Sequence, residues 1–337
     1  DGDAQIGVFQ RGVHSEIATF EEQGVVSLLS GNLMDVCPVG AVTTRDYRFK
    51  SRPWDNPMAV DTICTLCSKG CNTTAWIKAK PEWAKGARLV RVTPRFNASI
   101  NSFWMCDIGR FDYHWIESDR RVLQPHVRTS RGGDSKPWAA ALIAVKDAVH
   151  AAGGASQVRL LISGHASLEE LYVLKQFASL TGGVTFSWRH REKPQTATTK
   201  FRIPAVDAPN LRGATDLGFK MAPIDGPADV NDLRSAVEAG SVKVLYVMDT
   251  GPEGSLGETD WIIAARQSGK LRTLIVHGVL NTALVQAADI VLPGSAFVEK
   301  DVTYTNGASD DTREAWPDNA AAYDHTYRLW GRKVEVV

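Results

Sequence analysis

Four cysteines constrain the fold of this chain more than any other feature of its sequence. Three of them lie within eight residues, in the pattern Cys64-x2-Cys67-x3-Cys71, and Cys106 follows after 34 intervening residues. The short gaps let one irregular turn direct three sulfurs at a common centre, and Gly70 can adopt backbone conformations that side chains disfavour. The chain then has to return to this turn so that Cys106 can supply the fourth sulfur. This spacing is typical of a 4Fe-4S cluster.

Structural zinc is the main alternative. Closed zinc sites take four ligands in a tetrahedral array, commonly from two C-x2-C pairs, and only Cys64 and Cys67 form such a pair here. The spacing therefore favours the cluster, while a zinc-stabilised interaction module with no redox role, or a set of disulfides, stays open.

A fifth cysteine lies upstream in the segment Cys37-Pro38. Cys-Pro is typical of the last ligand of a ferredoxin-type run, which reaches a different cluster from its sequence neighbours. Cys37 has no cysteine near it in the sequence, so a buried free thiol packing as a small apolar side chain is the alternative.

Composition excludes several classes of protein. The 337 residues are 44% apolar and 23% charged, with 38 basic and 38 acidic side chains, as in a soluble chain of two or three domains. Balanced charge argues against a nucleic-acid-binding surface. The longest apolar stretch, residues 271–285, is interrupted by polar residues and is shorter than the roughly 18 needed to span a bilayer. No basic and apolar leader opens the chain, and the cysteine spacing suits a reducing compartment, so we expect it in the cytoplasm. A start at Asp1 rather than methionine predicts a truncated or fragmentary chain.

The chain divides into three regions by pattern. Residues 1–56 contain too little apolar sequence for a core of their own and are predicted to be the end of a larger unit. Residues 57–123 contain the four cysteines and two alternating segments, 73–77 and 88–93, predicted as strands of a small α+β domain. Residues 124–337 follow as a larger domain, and the Pro- and Gly-rich segment 123–137 is predicted to be a linker.

Strand and helix patterns alternate through the third region. Helices are predicted over 138–151, 168–180, 230–239, 260–268 and 282–288, and buried strands over 158–163, 242–248, 271–276 and 290–292. This alternation predicts an α/β fold with a parallel sheet flanked by helices.

No catalytic motif is present in the sequence. The loops 163–167 and 249–252 follow buried strands, where open α/β sheets usually bind ligands. Neither loop matches a phosphate-binding pattern, so we interpret their glycines as structural. The eight histidines lack metal-ligand spacing. Electron transfer needs neither an acid–base residue nor a nucleophile, and we expect no catalytic residue in this chain.

The ordered motifs resemble the G subunit of bacterial respiratory complex I, the NADH-quinone oxidoreductase. The resemblance rests on Arg11-Gly-Val-His-Ser-Glu-Ile17, Gly31-Asn-Leu-Met-Asp-Val-Cys37-Pro-Val-Gly-Ala41, Phe49-Lys-Ser-Arg52-Pro-Trp54, the four-cysteine pattern with Asn72, Cys106-Asp-Ile-Gly-Arg-Phe111 with Trp115, and Ala288-Asp-Ile-Val-Leu-Pro-Gly-Ser-Ala-Phe-Val-Glu-Lys300 with Tyr304-Thr-Asn306. The last of these is similar to the molybdopterin-oxidoreductase-like domain of that subunit.

The resemblance implies a role for each cysteine. Cys64, Cys67, Cys71 and Cys106 would bind a 4Fe-4S cluster that lies off the main electron path. Cys37 would be the last ligand of a separate 4Fe-4S cluster on that path, whose other three cysteines would precede Asp1, so this second site is incomplete. The resemblance also implies a place among the other peripheral-arm subunits, at the inner face of the cell membrane without insertion into it, in a complex passing electrons from NADH toward quinone.

A molybdopterin enzyme such as a formate dehydrogenase is the alternative family. Such enzymes usually place lysine two residues after the fourth cysteine, where this chain has Ile108, and no cysteine follows Cys106. The α/β region is also short for two pterin cofactors, so we expect no molybdenum. After Tyr304-Thr-Asn306 the chain departs from the family's usual Glu-Gly-Arg segment.

Overall fold

The computed structural model describes residues 5–20, 24–84, 86–129, 132–179, 181, 183–193, 195, 201–219, 221–223, 230–307 and 328–331. The strands are β1 (Ile6–Phe9), β2 (Glu16–Thr19), β3 (Met58–Ile63), β4 (Asn72–Ile77), β5 (Leu89–Pro94), β6 (His126–Thr129), β7 (Gly132–Ser135), β8 (Val158–Ser163), β9 (Val184–Trp188), β10 (Met221–Pro223), β11 (Val244–Asp249), β12 (Thr273–Gly278), β13 (Ile290–Pro293), β14 (Val302–Thr305) and β15 (Arg328–Gly331). The α-helices are α1 (Asn32–Val36), α2 (Arg45–Arg48), α3 (Asp107–Phe111), α4 (Trp138–Ala151), α5 (Leu168–Ala178), α6 (Leu211–Asp216), α7 (Val230–Glu238), α8 (Asp260–Gln267) and α9 (Ala283–Ala287).

An eight-stranded sheet dominates the described residues, with the order β10-β9-β8-β11-β12-β13-β6-β7. The pairs from β10 to β13 are parallel, and β6 and β7 add antiparallel at one edge. The chain builds outward from β8 in one direction and from β11 in the other, so the strand order reverses between these two strands. A crevice opens at such a reversal, outside the carboxyl ends of the strands.

Two apolar cores sandwich this sheet, because side chains alternate between its faces. On one face Leu160, Ile162 and Met248 pack with Leu171 of α5. On the other face Leu161, Leu245, Val247, Leu274 and Val276 pack with side chains of α7, α8 and α9. The predicted α/β class with a parallel sheet is confirmed. Among the described residues, no helix has the length and apolarity that crossing a bilayer requires.

The predicted linker is wrong. Residues 123–137 contain the hairpin of β6 and β7, and β6 pairs with β13 at Ile290↔Val127 and Val291↔His126. The hairpin extends the sheet at the outer edge of β13.

The cysteine-bearing region is a three-stranded antiparallel sheet of β3, β4 and β5, followed by α3. Its core contains Ala75, Ile77 and Leu89. The same core includes two residues of the α/β region, Val279 directly after β12 and Val298 in the segment after β13. The two regions therefore share buried apolar surface.

Candidate metal centre

The first three cysteines lie at the turn of an antiparallel pair of strands. Cys64 directly follows β3 and Cys71 directly precedes β4, and the Cys64 N–H donates to the Cys71 carbonyl at 2.8 Å. Gly70 has φ of +65°, in the left-handed region that glycine adopts without steric cost. The turn thus forms as the spacing predicted.

The fourth cysteine, Cys106, precedes a short helix that packs closely on Cys64, the first cysteine of the quartet. Cys106 is the N-cap of α3, with extended φ and ψ of −81° and 160°. A Cβ at Gly109 on α3 would lie 2.8 Å from Cys64 Sγ and 3.3 Å from Met105 Cε. Only glycine leaves room for α3 to bring Cys106 this close to the turn.

All four thiols are buried, with residue exposures of 4–7%. Cys64, Cys71 and Cys106 share one apolar cluster with Phe201 and Ile203. The thiol of Cys67 raises the pKa of the other three electrostatically.

Burial is the largest cause of the shifted thiol pKa values. It raises the pKa of Cys64 and Cys71 well above the ordinary value, and that of Cys106 to about 12, since a buried thiolate loses its hydration. Without a bound group these three would therefore be neutral thiols, and metal binding would have to release their protons.

The described side chains include no group of three or more His, Cys, Asp or Glu residues placed to hold a metal ion. Cys64, Cys71 and Cys106 nevertheless share one buried apolar cluster, and Cys67 is buried as well.

A segment of the α/β region covers the quartet. This segment, residues 201–207, is called the strap; its Phe201 and Ile203 side chains contact the cysteine cluster. Two bonds fix it to the turn: Ser68 N–H donates to the Val206 carbonyl at 3.2 Å, and Lys69 Nζ donates to the Arg202 carbonyl at 3.3 Å. The sequence contains no local motif for the strap, so its role was missed.

Two buried lysines lie near the quartet. Lys69, 3% exposed, places its ammonium 4.2 Å from the centre of the Phe201 ring. Burial lowers the pKa of Lys69, while the nearby thiols of Cys71, Cys67 and Cys106 act in the opposite direction. Lys193, 7% exposed, donates to Asp207 Oδ1 at 2.5 Å.

Backbone amides donate to two of the sulfurs. The N–H of Leu66 donates to the Cys64 sulfur, and the N–H of Gly109 donates to the Cys106 sulfur. The N–H of Ser68 donates to the strap and the N–H of Asn72 donates to Asn101 Oδ1 at 3.0 Å.

Cys37 lies outside this cluster, at the C-cap of α1. Its side chain is partly exposed, so the alternative of a buried apolar thiol is wrong. N–H groups of Val42 and Ala41 donate to its sulfur and lower its pKa. A loop that wraps its amides around a sulfur suits a thiolate ligand.

A buried polar network joins the segment of Cys37 to that of Cys106. Asn32 on α1 donates to the Met105 carbonyl at 2.9 Å and accepts from Met105 N–H at 3.2 Å. Asp107 accepts from Gly31 N–H at 2.8 Å, and Arg110 donates to Asp35 at 2.5 Å. The residues after Cys106 therefore hold the Cys37 segment in place.

The crevice between β8 and β11 contains a cavity of about 350 Å³ beside the quartet. Leu66 and Ile108 line its wall from the cysteine-bearing region, and His165 lines it from the α/β region. Burial, with a contribution from Lys300, lowers the pKa of His165 to about 3, so the imidazole is neutral. A Cβ at Gly251 would lie 2.5 Å from His165 Cδ2, and this close packing requires glycine in the loop after β11.

Two family models match the chain. The ferredoxin-like domain of NADH-quinone oxidoreductase subunit 3 matches residues 1–43, which include Cys37. Molybdopterin oxidoreductase matches residues 188–312, which include the strap and β11 to β14. The resemblance inferred from the motifs is confirmed. The four clustered cysteines lie between the two matched ranges.

Curated relatives agree with these matches. NADH-quinone oxidoreductase subunit 3 of Thermus thermophilus is 33% identical over 177 residues, 52% of this chain and 21% of the relative. The NADH-quinone oxidoreductase G subunit of Streptomyces coelicolor is 32% identical over 178 residues, 52% of this chain and 20% of the relative. The NADH-ubiquinone oxidoreductase 75 kDa subunit of Acanthamoeba castellanii is 30% identical over 204 residues, 59% of this chain and 29% of the relative. The matched part thus spans about a fifth of the first two relatives.

Proposed function

We propose that this chain is part of an iron-sulfur electron-transfer subunit of an NADH-quinone oxidoreductase. Cys64, Cys67, Cys71 and Cys106 hold a 4Fe-4S cluster, and the complex passes electrons from NADH toward quinone. The observation that carries this proposal is the gathering of four buried thiols beneath a strap. The names of the relatives supply the complex.

The residues around the quartet fit an anionic cluster. Four thiolates need compensating charge and hydrogen-bond donors, and the site contains two buried lysines and the N–H groups of Leu66 and Gly109. The spacing Cys64-x2-Cys67-x3-Cys71 with a distant Cys106 favours such a cluster over a single zinc ion, because it contains only one C-x2-C pair.

Each part of the site has a separate task in electron transfer. The bound cluster would take up and release one electron. The strap excludes water through Phe201 and Ile203, Gly109 leaves room beside Cys64, and the amide donors stabilise charge on the sulfurs. These groups fix the cluster in an environment that changes little when its charge changes.

Cys37 belongs to a second 4Fe-4S cluster in this proposal, as its last ligand on the main electron path. Its partial exposure and the amides directed at its sulfur support this role. The remaining ligands would come from sequence outside these 337 residues.

The proposal divides the chain into three units. Residues 1–56 form the ferredoxin-like part, residues 57–123 contain the quartet, and residues 124–337 form the molybdopterin-oxidoreductase-like part.

The partners in this proposal are other peripheral-arm subunits, on the inner face of the membrane. Molybdenum has no part in it. The Ile108 side chain lies in the wall of the crevice cavity, where a molybdopterin enzyme would place the lysine between cluster and pterin.

Replacing one quartet ligand tests the assignment. Cys71→Ser should remove most of the iron from the anaerobically purified chain, because three thiolates cannot complete the site. Cys37→Ser is the matched control and should leave that iron unchanged. In the assembled complex, Cys71→Ser should reduce stability more than the NADH-to-quinone rate. Unchanged iron in Cys71→Ser would refute the ligand assignment, and a collapsed rate in a fully assembled complex would refute the position off the main path.

A further inference from the structure

Lys193 is a buried charged side chain that the α/β region places near the quartet. Its side chain is 3% exposed, and its ammonium donates to Asp207 Oδ1 at 2.5 Å, to the Pro204 carbonyl at 2.7 Å and to the Ala205 carbonyl at 3.3 Å. Three acceptors satisfy the three donors of an ammonium group. The position of the charge is therefore fixed.

The strap carries the acceptors that hold Lys193. Arg191 N–H donates to the Ala205 carbonyl and Asp207 N–H donates to the Arg189 carbonyl, both at 2.9 Å. The same strap covers the cysteines through Phe201 and Ile203. Lys193 is thus held by the segment that covers the quartet.

The charge of Lys193 acts on the thiols of two ligands, Cys64 and Cys106, where it opposes the effect of burial. Asp207 does not cancel this charge alone, because it also pairs with Arg191 Nε at 2.7 Å and Arg189 Nε at 3.4 Å. Three cations thus share this one carboxylate, so Asp207 does not neutralise Lys193 alone.

We propose that Lys193 sets the reduction potential of the cluster, with Asp207 as the residue that positions it. This inference rests on the proposed function, since it needs a redox cluster in the quartet. Reduction adds one negative charge, which a fixed cation in a buried, weakly screened site stabilises. Lys193 therefore makes the cluster easier to reduce, and Asp207 partly offsets that effect.

Arg191 provides a matched control. It pairs with the same carboxylate, but its side chain is 42% exposed against 3% for Lys193. Solvent and salt screen an exposed charge. Its removal should move the potential much less.

The test is a redox titration of the cluster, followed by the paramagnetic signal of the reduced state, in the anaerobically purified full chain. For Lys193→Gln we expect the equilibrium constant of one-electron reduction to fall about tenfold, which equals about 59 mV. Lys193→Arg keeps the charge and should restore most of this shift. Asp207→Asn should move the potential the opposite way, and Arg191→Gln should change it by less than half as much.

The outcomes separate this inference from the proposed function. If the unsubstituted chain binds no iron-sulfur cluster, the proposed function fails first. If the cluster is present and Lys193→Gln leaves its potential unchanged, the inference alone is overturned. If Lys193→Gln assembles no cluster, Asp207→Asn decides: a raised potential supports the inference, and an unchanged or lowered one overturns it. Equal shifts in Lys193→Gln and Lys193→Arg would indicate packing rather than charge.

Discussion

At the scale of single residues, Gly109 is the most restrictive position near the quartet. Gly→Ala inside a helix usually stabilises it by up to about 1 kcal/mol. Here the added Cβ would lie 2.8 Å from Cys64 Sγ, and overpacking of this kind costs about 1–3 kcal/mol. Gly109→Ala should therefore lower both the free energy of unfolding and the iron content per chain, measured by denaturant titration and metal analysis.

A glycine with open space is the control for this substitution. A Cβ at Gly24 would meet no atom within 4 Å. Gly24→Ala should leave the iron content unchanged and the free energy of unfolding within about 0.5 kcal/mol. Equal iron loss in the two variants would contradict the close approach of α3 to Cys64.

Because of His165, the free energy of unfolding should decrease as the pH falls below neutral. Its pKa is lowered from 6.5 to about 3 in the folded protein. As the pH falls, the imidazole is therefore protonated in the unfolded chain before it is protonated in the folded one. The stabilisation is complete above pH 6.5 and is lost progressively toward pH 3. Between pH 7 and pH 5 the loss from this residue should be about 2 kcal/mol, at about 1.36 kcal/mol per unit.

Comparison with His165→Gln isolates this effect, because both proteins keep Asp249, whose pKa burial raises to about 6. Denaturant unfolding at pH 7, 6 and 5 should give a shallower pH dependence for His165→Gln. The exposed His150 supplies a control, and His150→Gln should keep the original dependence. An unchanged dependence in His165→Gln would show that the buried imidazole is not the cause.

At the scale of elements, the sequence predicted those with an unbroken local pattern. The predicted bounds of α4 and β8 agree with the structure residue for residue, because apolar periodicity and flanking turns coincide there. The strand β9 (Val184–Trp188) was missed, although its register beside β8 buries Phe186 and Trp188. Its short apolar run becomes recognisable as a strand only once the parallel partner is known.

Helix α5 has the best-defined start of any described helix near the crevice. Ser167 Oγ accepts from Glu170 N–H at 3.2 Å, and Glu170 accepts in return from Ser167 N–H at 2.8 Å. Ser167→Ala should cost about 1 kcal/mol of unfolding free energy, as losses of N-cap side chains do.

The matched control is Thr259→Ala. Thr259 is also an N-cap, of α8, but its side chain makes no capping hydrogen bond. Denaturant unfolding should therefore show a clearly smaller loss than for Ser167→Ala. Equal losses would mean that the Ser167 bond contributes nothing beyond side-chain size.

At the scale of the whole molecule, some parts of the site can be predicted from the sequence and others cannot. The spacing of the quartet is local, so Cys64, Cys67 and Cys71 were identifiable as one turn. The strap was not, because Phe201 reaches the quartet from more than ninety residues beyond Cys106. The contact depends on how the α/β region docks, and no pattern in residues 188–207 encodes that docking.

The docking itself rests on shared apolar and polar contacts. One core joins Ala75 and Ile77 to Val279 and Val298, and Gly307 N–H donates to the Ser68 carbonyl at 3.0 Å. The quartet is thus enclosed by both regions, and a cluster bound there should be protected from solvent only when both are folded. The departures at residues 308–313 and most of 316–337 lie outside the described residues.

Metal and sulfide analysis of the anaerobically purified chain, with the paramagnetic spectrum of its reduced form, tests the central claim most directly. We expect about four iron and four sulfide per chain at the quartet, a signal that appears on reduction, and neither molybdenum nor pterin. Zinc in place of iron and sulfide would contradict the claim, and molybdenum with pterin would favour the molybdopterin-enzyme alternative.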